Sequence, residues 1–143
     1  MGWSGFHKEF VSKCLIEIGV PLGKKFGDVI TNVNSSYKPG DTVTCSWWGA
    51  NPRNDLFTEK SYLYIDQLIN QSWIPILTDS DLQTRFIWQR QGIDQSIITV
   101  QWDIPTTQST GQTLYRMRHI GVKDNIFGRK LYSGQSKIFT IHF

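Results

Sequence analysis

Alternation of apolar and polar residues is the feature that most constrains how this chain can fold. It is clearest in residues 41–48 and 96–104, where every second residue is apolar: Val43, Cys45 and Trp47 in the first run, and Ile98, Val100 and Trp102 in the second. A period of two places successive side chains on opposite faces of a β-strand. Each run therefore predicts a strand with one face in a core.

Further runs of this kind follow along the chain, at residues 61–69, 72–78, 84–90, 113–120 and 136–143. Turn-forming residues separate the runs, at positions 38–41, 49–55, 78–81, 91–94 and 104–112. Seven or eight short strands in one domain predict an all-β fold, an antiparallel β-sandwich. Tyr115, just after a turn, is predicted to form the tyrosine corner of such a sandwich.

The N-terminal segment has a different period. Phe6, Phe10, Cys14 and Ile18 recur at helical spacing, and Gly19 with Pro21 would end a helix. We therefore predict a short N-terminal helix and linker over residues 1–22 and a β-domain over residues 23–143. A helix packed on its own domain is the simpler interpretation, and a helix that docks on a partner is the alternative.

Composition excludes several classes of protein. The chain has 143 residues, enough for one domain, and a net charge of +3 with scattered basic residues, so we expect no nucleic-acid partner. It has neither an apolar run of membrane-spanning length nor the pattern of a signal peptide. Its cysteines, Cys14 and Cys45, form no CxxC pair. A disulfide between them is one alternative, and the other is that Cys45 is a core residue, which we predict.

The segment TDSDLQTRFIWQR, residues 78–90, is the best candidate for an ion site. Asp79, Asp81 and Thr84 supply closely spaced oxygens of the kind that calcium and magnesium prefer. It is not an EF-hand, because the sixth and twelfth positions from Asp79 are Thr84 and Arg90. The alternative is a turn in which Asp79 or Asp81 accepts nearby backbone N–H groups. The aromatic half of the segment is predicted to be a core strand.

Catalytic signatures are sparse. The histidines, His7, His119 and His142, are far apart in sequence, and neither a GxSxG nor an HExxH pattern occurs. We therefore predict that this chain alone is not an enzyme. Asn34 and Asn70 each begin a glycosylation sequon.

Seven blocks of sequence together resemble one known domain. They are GKKFGDV, YKPGDTV, GANPRND, TEKSYL, TDSDLQTRFIW, TVQWDIP and LYRMRHIG, in this order. From about Gly23 to Phe143 the chain resembles the C-terminal domain of neutral, non-lysosomal ceramidases. Residues 1–22 do not resemble the catalytic domain of that family.

The resemblance implies a role in sphingolipid metabolism. Neutral ceramidases are amidohydrolases that split ceramide into sphingosine and a fatty acid, and their catalytic zinc lies in a large N-terminal domain that this chain lacks. Their C-terminal domain is an immunoglobulin-like sandwich packed on the catalytic domain, with calcium or magnesium near the interface. Asp79, Asp81 and Thr84 match that site. The family also implies an extracellular or membrane-associated location.

Two hypotheses follow. In the first, the chain is a non-catalytic accessory domain whose partners are the catalytic domain and a membrane surface. In the second, it is a free-standing module derived from that domain, which binds protein, glycan or membrane.

Overall fold

The computed structural model describes residues 19–50, 62–92, 94–106, 112–125 and 128–143. Within these ranges every regular element is a β-strand, which confirms the all-β prediction, and no helix long and apolar enough to cross a membrane is found there. The strands are β1 Val29–Thr31, β2 Ser36–Tyr37, β3 Thr42–Gly49, β4 Leu63–Ile69, β5 Ser72–Thr78, β6 Thr84–Gln91, β7 Gln95–Asp103, β8 Gln112–Asn125, β9 Gly128–Gln135 and β10 Phe139–His142. The predicted N-terminal helix and most of the 49–55 turn lie outside the described residues.

The strands form two sheets. Sheet A has the order β1-β3-β7-β6 and is antiparallel throughout. Sheet B has the order β2-β10-β8-β4-β5, and β9 also pairs with β8. The pair β2–β10 is parallel, so sheet B is mixed and the prediction of a purely antiparallel fold is wrong at this pair. The cause is a crossover: after β1 the chain leaves sheet A and runs alongside β10 in the same direction.

Both sheets contribute to one hydrophobic core. The alternating residues of β3 and β7 are buried in it as predicted, and sheet B adds Leu63, Ile65, Tyr115, Met117, Phe139 and Ile141. Cys45 is a free thiol within this core, as predicted, and its burial raises its pKa to about 12. The core therefore follows from the period-two pattern.

The hairpin of β8 and β9 was not predicted. The sequence run ends at Ile120, whereas β8 continues to Asn125 and pairs with β9 from Arg118 to Asn125. Glycine usually signals a turn, but Gly121 here makes room for a ring. A Cβ atom at Gly121 would lie 2.4 Å from the Tyr132 hydroxyl oxygen.

Strand β6 is an edge strand, so the prediction that it lies in the core is wrong. Among the described strands it pairs only with β7, and Ile87 and Trp88 are 38% and 36% exposed. Phe86 packs against the core, but it is only partly buried. Strand β5 is the corresponding edge of sheet B, so the 79–83 turn joins the edges of the two sheets.

Tyr115 is buried against Trp102 and Phe139, but its hydroxyl group meets the side chain of Thr113. The tyrosine that bonds to the nearby backbone is Tyr37, whose hydroxyl oxygen accepts the Asn34 N–H at 2.7 Å. The short-range bond between a tyrosine hydroxyl and a backbone N–H three residues away thus lies before β3 rather than at the start of β8.

Candidate cation site in the 78–84 turn

The 78–84 turn is closed by its own hydrogen bonds. The Thr78 N–H donates to Asp81 Oδ2 at 2.7 Å, and the Asp81 N–H donates back to the Thr78 carbonyl at 3.1 Å. The Thr84 hydroxyl oxygen lies 2.7 Å from the Thr78 carbonyl oxygen and 2.9 Å from that of Asp81. This is the bonding that the turn interpretation of Asp81 predicted.

The same arrangement recurs twice in the chain. Asp28 and Asp41 each accept, at 2.9 Å, the N–H of the residue three positions earlier. In each of these turns the aspartate N–H also bonds to the carbonyl of that earlier residue. An aspartate at the fourth position of a turn is thus a repeated structural device here, and one oxygen of Asp81 is used in it.

Asp79 faces a different group. Its Oδ2 atom lies 3.4 Å from the backbone nitrogen of Tyr62, the residue before β4. Asp79 and Asp81 therefore bond to different backbone N–H groups, and Thr84 bonds to carbonyl groups. Across residues 19–50, 62–92, 94–106, 112–125 and 128–143, no three His, Cys, Asp or Glu side chains are grouped to hold a metal. The three predicted residues thus do not make a complete cation site, and further oxygens would have to come from another segment or polypeptide.

His119 is at the centre of a buried hydrogen-bond chain. Its Nδ1 lies 2.8 Å from the Tyr62 carbonyl oxygen, and its Nε2 lies 3.0 Å from the Tyr132 hydroxyl. A carbonyl only accepts, so Nδ1 carries the proton and Nε2 accepts from Tyr132. The Tyr132 oxygen in turn accepts the Ala50 N–H at 2.8 Å. Both ring nitrogens are therefore committed, and burial lowers the pKa of His119 to about 4.

This chain of bonds has a positional role. Ala50 and Tyr62 flank residues 51–61, and His119 with Tyr132 ties those two flanking residues together. The sequence signal for the burial of His119 was the alternation in β8. That alternation puts His119 on the core face with Tyr115 and Met117. The exposed His142 lies 3.3 Å from the Thr140 hydroxyl, and His7 is outside the described residues.

A buried acid on the outer face of sheet B was also missed. Asp66 is fully buried and accepts from Arg116 Nε at 2.8 Å and from Arg118 Nε and Nη2 at 2.5 and 3.0 Å. The Arg116 guanidinium stacks on Trp73 and that of Arg118 on Tyr64. Strand parity put both arginines on this face, but their shared partner depends on the pairing of β4 with β8.

Both sequon asparagines are exposed. Asn34 lies before β2. Asn70 lies in the two-residue turn between β4 and β5, with a φ of 50°.

Comparisons with known proteins identify the domain. The family described as "Neutral/alkaline non-lysosomal ceramidase, C-terminal" matches residues 10–141. The chain belongs to the neutral ceramidase family. Its match is to the C-terminal domain of that family, and it starts before the first block of resemblance at Gly23.

Individual neutral ceramidases agree with this assignment. The chain is 36% identical over 127 residues to neutral ceramidase of Oryza sativa subsp. japonica, covering 85% of this chain and 16% of that protein. It is 35% identical to neutral ceramidase B of Dictyostelium discoideum, covering 94% of this chain and 19% of that protein. The crystal structure of neutral ceramidase from Pseudomonas aeruginosa superposes with a TM-score of 0.77 at 33% identity, covering 85% of this chain and 20% of that one. The chain thus spans about a fifth of the length of these neutral ceramidases.

Proposed function

We propose that this chain is the non-catalytic C-terminal accessory domain of a neutral ceramidase. It packs on a zinc-dependent catalytic domain that hydrolyses the amide bond of ceramide, and it stabilises that domain at the lipid surface. The observation that carries the proposal is the coverage: 85% of this chain aligns with only 20% of the Pseudomonas enzyme, within a family described as C-terminal. The two sheets around one core also favour an immunoglobulin-like sandwich for this role.

A chimera tests the proposal. This chain would replace the C-terminal domain of the Pseudomonas enzyme, and the controls would be the enzyme without that domain and the enzyme carrying an unrelated β-sandwich. We expect the chimera to hydrolyse ceramide faster than both controls and to unfold in one thermal transition. A chimera no more active than the truncated enzyme would contradict the accessory role.

The free chain provides a second test. We expect no ceramide hydrolysis by the purified 143-residue chain with zinc supplied. Turnover above a control containing zinc alone would mean that catalysis does not need a separate catalytic domain. If the free chain binds vesicles or glycans and the chimera is inactive, the results would favour the module hypothesis instead.

We further propose that calcium or magnesium binds at Asp79, Asp81 and Thr84, completed by oxygens of the catalytic domain. Two carboxylates and a hydroxyl on one short turn support this, as does the partial exposure of Asp79 and Asp81. The variants Asp81→Asn and Asp81→Ala distinguish ion binding by Asp81 from its hydrogen bond within the turn. Asparagine keeps an acceptor for the Thr78 N–H, so Asp81→Asn should leave the stability of the free chain nearly unchanged, whereas Asp81→Ala should cost about 1 kcal/mol.

The ion itself is tested in the chimera. Excess calcium should raise the thermal midpoint of the parent chimera by mass action, and Asp81→Asn should abolish that shift. If calcium raises the thermal midpoint of the parent and Asp81→Asn chimeras equally, Asp81 does not bind the ion.

An extracellular or membrane-associated location is also part of the proposal. The exposure of Asn34 and Asn70 supports it, because a glycan needs an accessible acceptor. Secreted from eukaryotic cells behind a leader sequence, the chain should lose one glycan-dependent mobility shift with each of Asn34→Gln and Asn70→Gln. Identical mobility of all three proteins would count against sequon use.

A further inference from the structure

The basic residues are scattered along the sequence, but the fold brings two pairs of them together. Lys123 on β8 and Lys130 on β9 are direct cross-strand partners, so their side chains leave the same face of the hairpin. The ring of Phe26 lies beside Lys123, with 5.3 Å between the Lys123 Nζ atom and the ring centroid. Lys24 and Lys25 come immediately before Phe26 in the chain. These four lysines are referred to below as the lysine cluster.

Packing holds the segment before β1 against the β8–β9 hairpin. The Gly27 N–H donates to the Trp48 carbonyl at 2.6 Å, which ties the segment to β3. The Phe26 ring packs on that of Tyr132 on β9, with the two centroids 5.5 Å apart. Gly27 lies so close to β9 that a Cβ atom there would collide with the Ser133 carbonyl. Contacts with β3 and β9 therefore hold the two halves of the lysine cluster next to each other.

The positive charge of the lysine cluster is mostly uncompensated. Like charges directly opposite each other on antiparallel strands repel, so the pair of Lys123 and Lys130 destabilises the hairpin. Asp28 is the acid of the segment before β1, and one of its carboxylate oxygens already accepts a backbone N–H of its own turn. The next pair of the hairpin, Asp124 with Arg129, adds one charge of each sign. Four lysines are thus accompanied by one acid, and a bound anion would relieve their repulsion.

The lysine cluster lies on the side of the sandwich away from the 78–84 turn. That turn joins β5 and β6, which are edges of the two sheets. The lysine cluster lies instead on β9 and on the segment that leads into β1, the other edge of sheet A. Strand β9 is on the opposite side of β8 from β4, because Arg118 and His119 pair with both strands. The lysine cluster is therefore separate from the candidate cation site.

We propose that the lysine cluster binds a sulfated polysaccharide, an anionic glycan of the extracellular space, through its sulfate and carboxylate groups. Lys24, Lys25 and Lys130 are exposed, and Lys123 is half-buried, so the charges are open to a large ligand. Lysine is a compact charge on a flexible stem, which suits the variable anion spacing of a polymer better than the fixed fork of arginine does. The inference rests on the proposed extracellular location and names a ligand that would retain the protein there.

The lysine cluster favours a polysaccharide over an anionic membrane. The leaflet rich in anionic lipid is the cytoplasmic one, whereas the location proposed for this domain is extracellular. A membrane-surface site also places apolar side chains beside its cations. Leu131, the exposed leucine of β9, has the opposite strand parity to Lys130 and so leaves the other face of the hairpin. Leu22 is exposed near Lys24, but a single exposed leucine is ordinary on a soluble surface.

Two double variants of the full chain test the proposal, with heparin as the probe and desulfated heparin as its control. Lys123→Gln/Lys130→Gln removes the cross-strand pair. Lys38→Gln/Lys137→Gln removes two exposed lysines elsewhere, so the two variants have the same net charge. Lys38 comes before β3, whose other end is bonded to Gly27, and Lys137 follows the end of β9 that is far from Lys130.

We expect the parent chain to bind heparin and not desulfated heparin in calorimetry at physiological salt. Lys123→Gln/Lys130→Gln should lower the affinity by about tenfold or more, and the slope of log affinity against log salt should become shallower by about two, because each ionic contact with a linear polyanion releases about one counterion. The control variant should stay within about twofold of the parent in affinity. The thermal midpoint of Lys123→Gln/Lys130→Gln should be no lower than that of the parent, because the variant loses a repulsive pair.

Three outcomes would overturn the polysaccharide site. Equal losses of affinity in the two double variants would mean that binding follows net charge alone. Equal binding of heparin and desulfated heparin would mean that the sulfate groups are not recognised. Vesicles containing phosphatidylserine test the membrane alternative. If the parent binds these vesicles more tightly than heparin, and Lys123→Gln/Lys130→Gln loses that binding, the lysine cluster is a lipid site and the polysaccharide proposal is wrong.

The heparin result is independent of the tests of the proposed function. The chimera assay measures ceramide hydrolysis and the mobility assay measures glycan attachment, and neither depends on the lysine cluster. Loss of the polysaccharide site would therefore leave the accessory function standing. A chimera no more active than the truncated enzyme, together with specific heparin binding by the free chain, would overturn the accessory function and support the polysaccharide site.

Discussion

At the residue scale, burial determines the charge of His119. Its imidazole is almost fully buried, both ring nitrogens have partners, and the pKa is lowered to about 4. In the unfolded chain the pKa returns to about 6.5, so the unfolded state binds the proton more readily between these values. The contribution of neutral His119 to the unfolding free energy is therefore fully present above pH 6.5 and is lost as the pH falls toward 4.

This linkage predicts a loss of up to about 3 kcal/mol of unfolding free energy across that window. Urea unfolding at pH 7 and at pH 4.5 measures it. The control is His119→Gln, which should be less stable at pH 7 but should have a shallower pH dependence. The same loss on acidification in both proteins would assign the effect to other groups.

At the element scale, the β4–β5 hairpin has an unfavourable turn residue. Asn70 and Gln71 have φ values of 50° and 68°, which fits a two-residue turn with both central residues in the left-handed region. Asparagine tolerates that region, but glutamine does so at a cost. Gln71→Gly should raise the unfolding free energy by about 0.5–1 kcal/mol, measured by urea unfolding. A Gln135→Gly control on β9 should not be stabilising.

The outer face of sheet B depends on one acid. Removing the carboxylate of Asp66 would leave Arg116 and Arg118 side by side without a counter-charge, so Asp66→Ala should lower the unfolding free energy by on the order of 3 kcal/mol. Asp103→Ala, which breaks the exposed pair with Arg85 at 2.6 Å, should have a much smaller effect because water solvates both partners. Equal losses in urea unfolding would contradict this ranking.

The sequence could predict the strands that obey a period of two, since alternation is local. β3 and β7 occur where that pattern places them. Whether a strand is central or at an edge depends on its neighbours, so β6 was taken for a core strand because of Phe86 and Trp88. β9 was missed because its polar residues and Gly134 look like a loop. In the 78–84 turn, the aspartate and threonine residues that close the turn are also residue types that bind calcium or magnesium. Composition therefore could not separate the two roles.

At the scale of the whole molecule, sheet B is completed by residues close to the end of this sequence. β10 lies between β2 and β8, and its Phe139 and Ile141 are fully buried in the core. Deleting residues 139–143 would remove both core side chains and separate β2 from its only partner in the described residues. We expect the truncated chain to lose the far-UV spectrum of a β-protein, whereas Ile138→Ser, at an exposed position beside the strand, should retain it.

The parallel pairing of β2 and β10 also determines how the domain responds to mechanical force. The register joins Ser36 to Thr140 and Tyr37 to Ile141, and the Thr140 N–H bonds to the Ser35 carbonyl at 3.0 Å. A pull that draws the N-terminal side of β2 away from the C-terminal side of β10 slides the two strands along each other. Their hydrogen bonds are then loaded together, in shear, rather than opened one at a time. Tension applied across this pair is thus resisted by all of its hydrogen bonds at once.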